Sequence, residues 1–174
     1  MASYQPELQT LKMTATALLG ILALAVLSRH YGKTYWVNTT NSEPIGLYRL
    51  QRAPVQVKRW DLVLLEVPET YHRYVYGRGW LPKGWPLAKH VGAVVGDVFC
   101  VSGNSFLVNG IELGPVYRAD SEGLPLPRLL GCRTIPPGHF LPVALRTPRS
   151  FDGRYMGPVE LSRIRGRLTP ILTF

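Results

Sequence analysis

The chain has 174 residues, enough for one ordinary domain or a small domain with an appendage. Twenty Lys and Arg against eleven Asp and Glu leave a net charge of +9, which is compatible with nucleic acid, an acidic membrane surface or an acidic partner and decides between none of them. With 46% hydrophobic and 18% charged residues, 17 glycines and 15 prolines, the composition argues against a long disordered tail, a coiled coil and a disulfide-dense mini-protein.

Residues 1–11 read as an N-terminal tail and residues 12–30 as an apolar span. Between Lys12 and Arg29 lie sixteen uncharged residues, Met13 to Ser28, mostly Ala, Leu, Val and Ile. A membrane-spanning helix needs about 17–25 residues, and Lys12 and Arg29 can snorkel to extend the run. The leading reading is a retained transmembrane anchor or uncleaved signal. A cleaved secretory signal, with Ala23-Leu24-Ala25 as a small-x-small pattern, and a buried core helix are the alternatives. A core helix of a small domain would show a polar face, and this run has none. Lys12 before the span, against Arg29, His30 and Lys33 after it, would place the C-terminal part in the cytoplasm.

From residue 31 onward no long stretch repeats at helical spacing. Leu62–Val67, Val91–Val95, Val98–Val101, Phe106–Val108 and Phe140–Leu145 are short apolar runs bounded by turn residues, and they predict strands. Asn109-Gly110 predicts a type I′ hairpin. Pro68 to Tyr76 predicts a short helix begun by its proline. Residues 114–138, rich in Gly and Pro, read as a long loop. The fold class is mostly β, a domain over 31–174 behind one N-terminal helix. Two cysteines, Cys100 and Cys132, allow one disulfide or none.

Four histidines without HxxxH or CxxC spacing support no zinc site, and no cofactor is implied. There is no P-loop, no dinucleotide fingerprint and no GxSxG elbow. Arg146, Arg149, Arg154, Arg163, Arg165 and Arg167 lack the aromatic interleaving of a nucleic-acid module. They read as a solvated face or one resting on anionic lipid, with no nucleic-acid partner.

Three segments look organised: Asn38 to Tyr48, Leu87 to Asp97, and Arg149 to Pro158. Taken singly, Ser42 is a turn serine, Lys89 a strand-end lysine and Asp152-Gly153 a turn. Together they offer a nucleophile and a base. A serine needs a base, and a lysine serves if burial lowers its pKa. Lys89 stands among Leu87, Ala88, Val91 and Ala93, an apolar neighbourhood of that kind.

These segments resemble the boxes of type I signal peptidases, membrane-anchored Ser/Lys serine proteases with a compact β fold related to that of LexA. The closer resemblance is to the TraF-type conjugative-transfer branch. It rests on Ser42, Pro44, Gly46 and Tyr48, on Arg78-Gly79-Trp80-Leu81-Pro82, and on Lys89 with Gly96-Asp97. It continues through Gly123-Leu124-Pro125-Leu126-Pro127 and the run from Ser150 to Val159, covering roughly residues 10–174. Departures are Glu43 where Met or another apolar residue is common, His90 where Arg or Lys is usual, Val95 for Pro and Gly153 for Ser.

The resemblance implies Ser42 as nucleophile and Lys89 as general base. The Ser42 N–H and the Thr40 hydroxyl would form the oxyanion hole. Ser150 would orient the lysine, with Asp152 and Arg154 as a supporting ion pair. It implies an exported pilin precursor as substrate, with cyclisation of the pilin as an extension, and the inner membrane and other components of a conjugative type IV secretion system as partners. Substrate strands would lie by Ser42 and the strand before Lys89. The catalytic domain would then face the periplasm, against the flanking-charge reading. A periplasmic site admits a Cys100–Cys132 disulfide, and two separate buried thiols are the alternative. Competing readings are a general signal peptidase, a non-catalytic pilus-assembly protein on the same fold, and a self-cleaving switch.

Overall fold

The computed structural model describes residues 6–31, 34–54 and 56–174. Residues 1–5 of the expected tail and Lys33 therefore lie outside the described residues. The chain forms two units, divided between Tyr35 and Trp36.

The first unit is helix α1, Pro6–Tyr31. Its 26 residues span about 39 Å at 1.5 Å per residue. It starts inside the segment read as a tail, because Pro is at home in the first helical turn and Glu7, Leu8, Gln9 and Leu11 are good helix formers. Its window Gln9–Leu27 has a mean hydropathy of 1.9 and is 0% buried. The helix is long and apolar enough to cross a bilayer.

The second unit is a β domain. It comprises β1 (Tyr35–Asn38), β2 (Gly46–Arg52), β3 (Leu62–Leu65), α2 (His72–Val75), β4 (Leu87–Ala93), β5 (Val98–Ser102), β6 (Ser105–Val108), β7 (Ile111–Pro115), β8 (Gly131–Thr134), β9 (His139–Val143), α3 (Gly153–Met156), β10 (Val159–Glu160) and β11 (Ile164–Thr173). A seven-stranded sheet runs β1-β2-β11-β3-β4-β9-β10, and a four-stranded sheet runs β7-β6-β5-β8. The larger sheet is covered on both faces. Tyr48, Leu64, Ala88 and Leu168 gather in one cluster. Val63, Leu65, Val91 and Phe140 gather in another. Central β3 is therefore apolar at every position. A third cluster joins Phe99 and Phe106 of the smaller sheet to Leu141, Val143, Phe151 and Tyr155.

The five predicted strands all occur, with shifted ends. The one around Val91 begins at Leu87 and so carries Lys89 inside it. The Pro68 helix occurs as a 3-10 turn, Glu69–Tyr71, running into α2, with Pro68 as its N-cap. Asn109 and Gly110 both take positive φ, 50° and 79°, as a type I′ turn requires. The loop expected over 114–138 contains β8 and the end of β7.

Of the C-terminal arginines read as a solvated face, one does not fit. Arg154 is buried. Arg163 pairs with Glu69, Arg165 with Glu66 and Arg167 with Asp61. Arg165 and Arg167 lie on β11, the longest strand, and point outward while Ile164, Gly166 and Leu168 point inward. Gly166 hid the alternation. A Cβ there would collide with the Gln51 carbonyl across the β2 pairing, so an inward position carries no apolar side chain.

Cys100 and Cys132 are register partners on β5 and β8 and are joined as a disulfide. Neither is buried, so the alternative of two buried thiols does not hold.

Candidate active site

Ser42 lies in the loop between β1 and β2, which a side chain ties into one conformation. Asn38, at the end of β1, is buried. Its Nδ2 donates to the carbonyls of Thr40 (2.9 Å), Glu43 (2.9 Å) and Pro44 (3.1 Å). Its Oδ1 accepts from Thr40 N (3.2 Å) and Thr40 Oγ1 (2.8 Å). Tyr48 Oη adds a 2.6 Å bond to the Pro44 carbonyl. One buried amide thus satisfies a turn that would otherwise leave several polar groups unpaired. Asn38 was missed in the sequence, although an Asn two residues before a Thr is an Asx-turn signal.

Lys89 is 2% exposed. It stands mid-strand on β4, opposite Val63 of β3. Its Nζ donates to Ser150 Oγ at 2.5 Å. Burial pushes its pKa down to about 8; the carboxylates of Asp152 and Glu43 oppose that shift, and Arg154 adds to it. This lysine gives up its proton far more readily than one in water, as its apolar sequence neighbourhood suggested.

Ser150 is held by its segment. Asp152 is fully buried and Arg154 is 1% exposed. Their side chains meet through two parallel bonds, Nε to Oδ1 at 2.8 Å and Nη2 to Oδ2 at 3.1 Å. Asp152 Oδ2 also accepts from Ala144 N (2.8 Å), and Arg154 Nη1 donates to the carbonyls of Pro115 (2.9 Å) and Pro148 (2.7 Å). The pair therefore fastens the chain on both sides of Ser150. Asp152 caps α3, accepting from Arg154 N. Gly153 follows because a Cβ there would sit 2.6 Å from the Pro142 carbonyl, which accounts for its standing where Ser is common.

Ser42, Thr40, Lys89 and Ser150 line one cleft of about 250 Å³. Its apolar wall includes Trp36, Trp80, Trp85, Leu87 and Phe151. Thr147 Oγ1 donates to the Asn41 carbonyl (2.9 Å), joining the Ser42 loop to the Ser150 segment. Arg78 reaches from one family-like box to another, bonding Asp120 Oδ2 (2.6 Å) and the Pro125 carbonyl (2.7 Å). Asp97 braces the turn after β4 through Arg59, Val94 N and Asn109.

Ser42 Oγ lies 3.4 Å from Thr40 Oγ1. Thr40 spends its one hydroxyl proton on Asn38, so Ser42 is the donor of that contact. Among the described residues no hydrogen bond joins Ser42 Oγ directly to Lys89 Nζ. Such bonds are commonly loose until substrate binds. The two departures beside Ser42 and Lys89, Glu43 and His90, meet each other: Glu43 Oε2 lies 3.2 Å from His90 Nε2.

The signal peptidase, peptidase S26 family matches residues 8–173. A plasmid transfer protein TraF of Escherichia coli is 32% identical over 163 residues, 89% of this chain and 92% of that protein. A conjugal transfer protein TraF of Agrobacterium fabrum is 33% identical over 149 residues, 80% of this chain and 83% of that one. The crystal structure of a signal peptidase I from Enterococcus faecalis V583 overlaps 67% of this chain and all of its own, at 21% identity and a TM-score of 0.41, a slight likeness that adds nothing to the assignment. The chain belongs to the signal peptidase S26 family, in its TraF-type branch.

Proposed function

We propose that this member of the signal peptidase family is a membrane-anchored Ser/Lys endopeptidase that trims an exported precursor, the pilin subunit of a conjugative transfer system. The observation that carries the reading is Lys89. It is a buried lysine with a lowered pKa, bonded to Ser150 in the cleft that Ser42 also lines.

In this mechanism neutral Lys89 takes the proton of Ser42 Oγ, and the oxygen attacks the scissile carbonyl. The Ser42 N–H stabilises the oxyanion. Thr40 joins it once its hydroxyl turns from Asn38, and such a donor contributes about 10²–10³ in rate. Lys89 returns the proton to the leaving amine, giving an acyl-enzyme at Ser42. Water attack then releases a linear product, whereas attack by the pilin's own amine closes a ring. Asp152 and Arg154 position Ser150, and Ser150 positions Lys89.

Substrate backbone has a place to pair. β4 bonds β9 only from His90 onward, so Leu87–Lys89 lack a partner strand on that side among the described residues. An extended peptide added there would pass Lys89. The names of the TraF relatives support conjugation as the setting. The disulfide suits an oxidising compartment, hence a periplasmic domain at the inner membrane beside lipid and other type IV secretion components.

The test is to incubate the full chain, in detergent, with candidate pilin precursor and to weigh the product. Cleavage by the wild type and none by Ser42→Ala or Lys89→Ala is the expected result, and normal processing by both variants overturns the reading. Linear and ring products differ in mass by one water. Rescue of a strain depleted of its own signal peptidase, with no effect on pili, would favour a general signal peptidase instead.

A further inference from the structure

Immediately beside Ser42 and Lys89 a second pair joins the same two segments. Glu43 follows the serine and His90 follows the lysine. Glu43 is 3% exposed. His90 is held at both ring nitrogens: Nδ1 lies 2.9 Å from the Trp60 carbonyl and Nε2 lies 3.2 Å from Glu43 Oε2. A backbone carbonyl can only accept, and an ionised carboxylate can only accept. A neutral imidazole has one N–H and would leave one oxygen facing a lone pair. Opposite an ionised Glu43, both contacts are satisfied at once only by the imidazolium, the form that the raised His90 pKa favours.

The pair is placed to fix the distance between the Ser42 loop and β4. We propose that Glu43 and His90 are positioning residues, a carboxylate–imidazolium clasp that holds the Ser42 loop against β4 and sets the charge felt by Lys89. The inference rests on the Ser42/Lys89 reading above. Its electrostatic surroundings are defined. Glu43 acts on Lys89, as do Asp152 and Arg154. Glu43 also faces Tyr48, which Arg146 faces as well. Around Trp60, Arg59 is committed to Asp97 and Asp61 to Arg167. The hydrogen bond to Glu43 raises the His90 pKa above 6.5, burial opposes that, the Trp60 carbonyl supports it, and the Lys89 charge lowers it. Glu43 Oε1 has no hydrogen-bond partner among the described residues. The charge on Glu43 is thus balanced chiefly by His90, and what remains of it favours the Lys89 ammonium.

The clasp predicts opposite changes at Lys89 for its two halves. Glu43→Gln removes the negative charge and moves the rising limb of the kcat–pH profile to lower pH. His90→Gln strips Glu43 of its counter-ion and moves that limb to higher pH. Both variants lower kcat about 10- to 100-fold by letting the serine loop shift, with KM within about twofold, and the double variant is no worse than the weaker single one. A merely structural role would not give opposed limb shifts.

The experiment measures precursor processing from acid to alkaline pH for the wild type, both single variants and the double variant. It also follows the His90 ring resonances of the full chain by NMR. The expected His90 midpoint lies above 6.5 in the wild type and falls in Glu43→Gln. A wild-type midpoint at or below 6.5 overturns the clasp, and needs no variant to fold. So do single variants with undiminished kcat, limb shifts in the same direction, or losses that multiply. If Ser42→Ala and Lys89→Ala are dead while Glu43→Gln and His90→Gln are unimpaired, the clasp alone falls. If the dyad variants process normally, both readings fall.

Discussion

Two charged regions of the β domain are of opposite character. Around the cleft, Glu43, Lys89, Asp152 and Arg154 are buried, and each is satisfied by a specific partner or shifted in pKa. Along β11 and the turn before it, Arg163, Arg165 and Arg167 meet Glu69, Glu66 and Asp61 at the surface. In the sequence the two regions look alike, as polar residues among apolar ones. Burial separates them. Removing a charge from the first leaves its partner stranded without water, whereas removing one from the second hands its partner back to solvent.

The sharpest way to break the contrast is through the proposed reacting groups. Ser42→Ala and Lys89→Ala should each lower precursor processing by about 10⁴-fold or more, with the melting temperature near wild type for Ser42→Ala. Arg154→Ala comes next. It leaves Asp152 buried and uncompensated and should cost about 3–5 kcal/mol in denaturant unfolding, with processing lost as Ser150 drifts. A loss below about 1 kcal/mol would mean that Asp152 finds other partners.

The pH dependence is milder. In the proposed mechanism Lys89 works neutral, and its pKa is pushed down to about 8, so processing should rise through that pH and flatten above it. Stability follows the same sign. Between about 8 and 10.5 the folded lysine has lost a proton that the unfolded one keeps, so unfolding becomes harder as pH rises through that window. A rate that falls through pH 8 would contradict a lysine base. The smallest effect belongs to the surface. Arg165→Ala breaks an exposed pair and should change stability by about 0.5 kcal/mol or less, with processing unaltered.

The legibility of the fold follows the same division. Strands whose inward positions are filled by large apolar side chains, such as β3, β5 and β9, announced themselves. β2 and β11 did not. Their outward positions carry Arg, and β11 places Gly166 where packing leaves no room for a side chain. Asp152-Gly153-Arg154 looked like a turn and is a capped helical turn around a buried ion pair.

Within the site, Lys89 was legible from its apolar neighbours. The placement of Ser42, Lys89 and Ser150 on one cleft came only from the resemblance, since residues 47 and 61 positions apart leave no local trace of their meeting. Asn38 was not found, because a buried side-chain amide that organises a loop looks in sequence like any loop Asn. Glu43 and His90 stood out singly as departures, and their contact becomes visible only when the loop closes on β4.

The central claim is that Lys89 activates Ser42. Its most direct test is to mix the protein with precursor at pH above 8, quench in acid and map the modified peptide by mass spectrometry. An acyl adduct on Ser42 that disappears in Lys89→Ala is the result expected. An adduct on another residue, or one on Ser42 that forms equally well without Lys89, would contradict it.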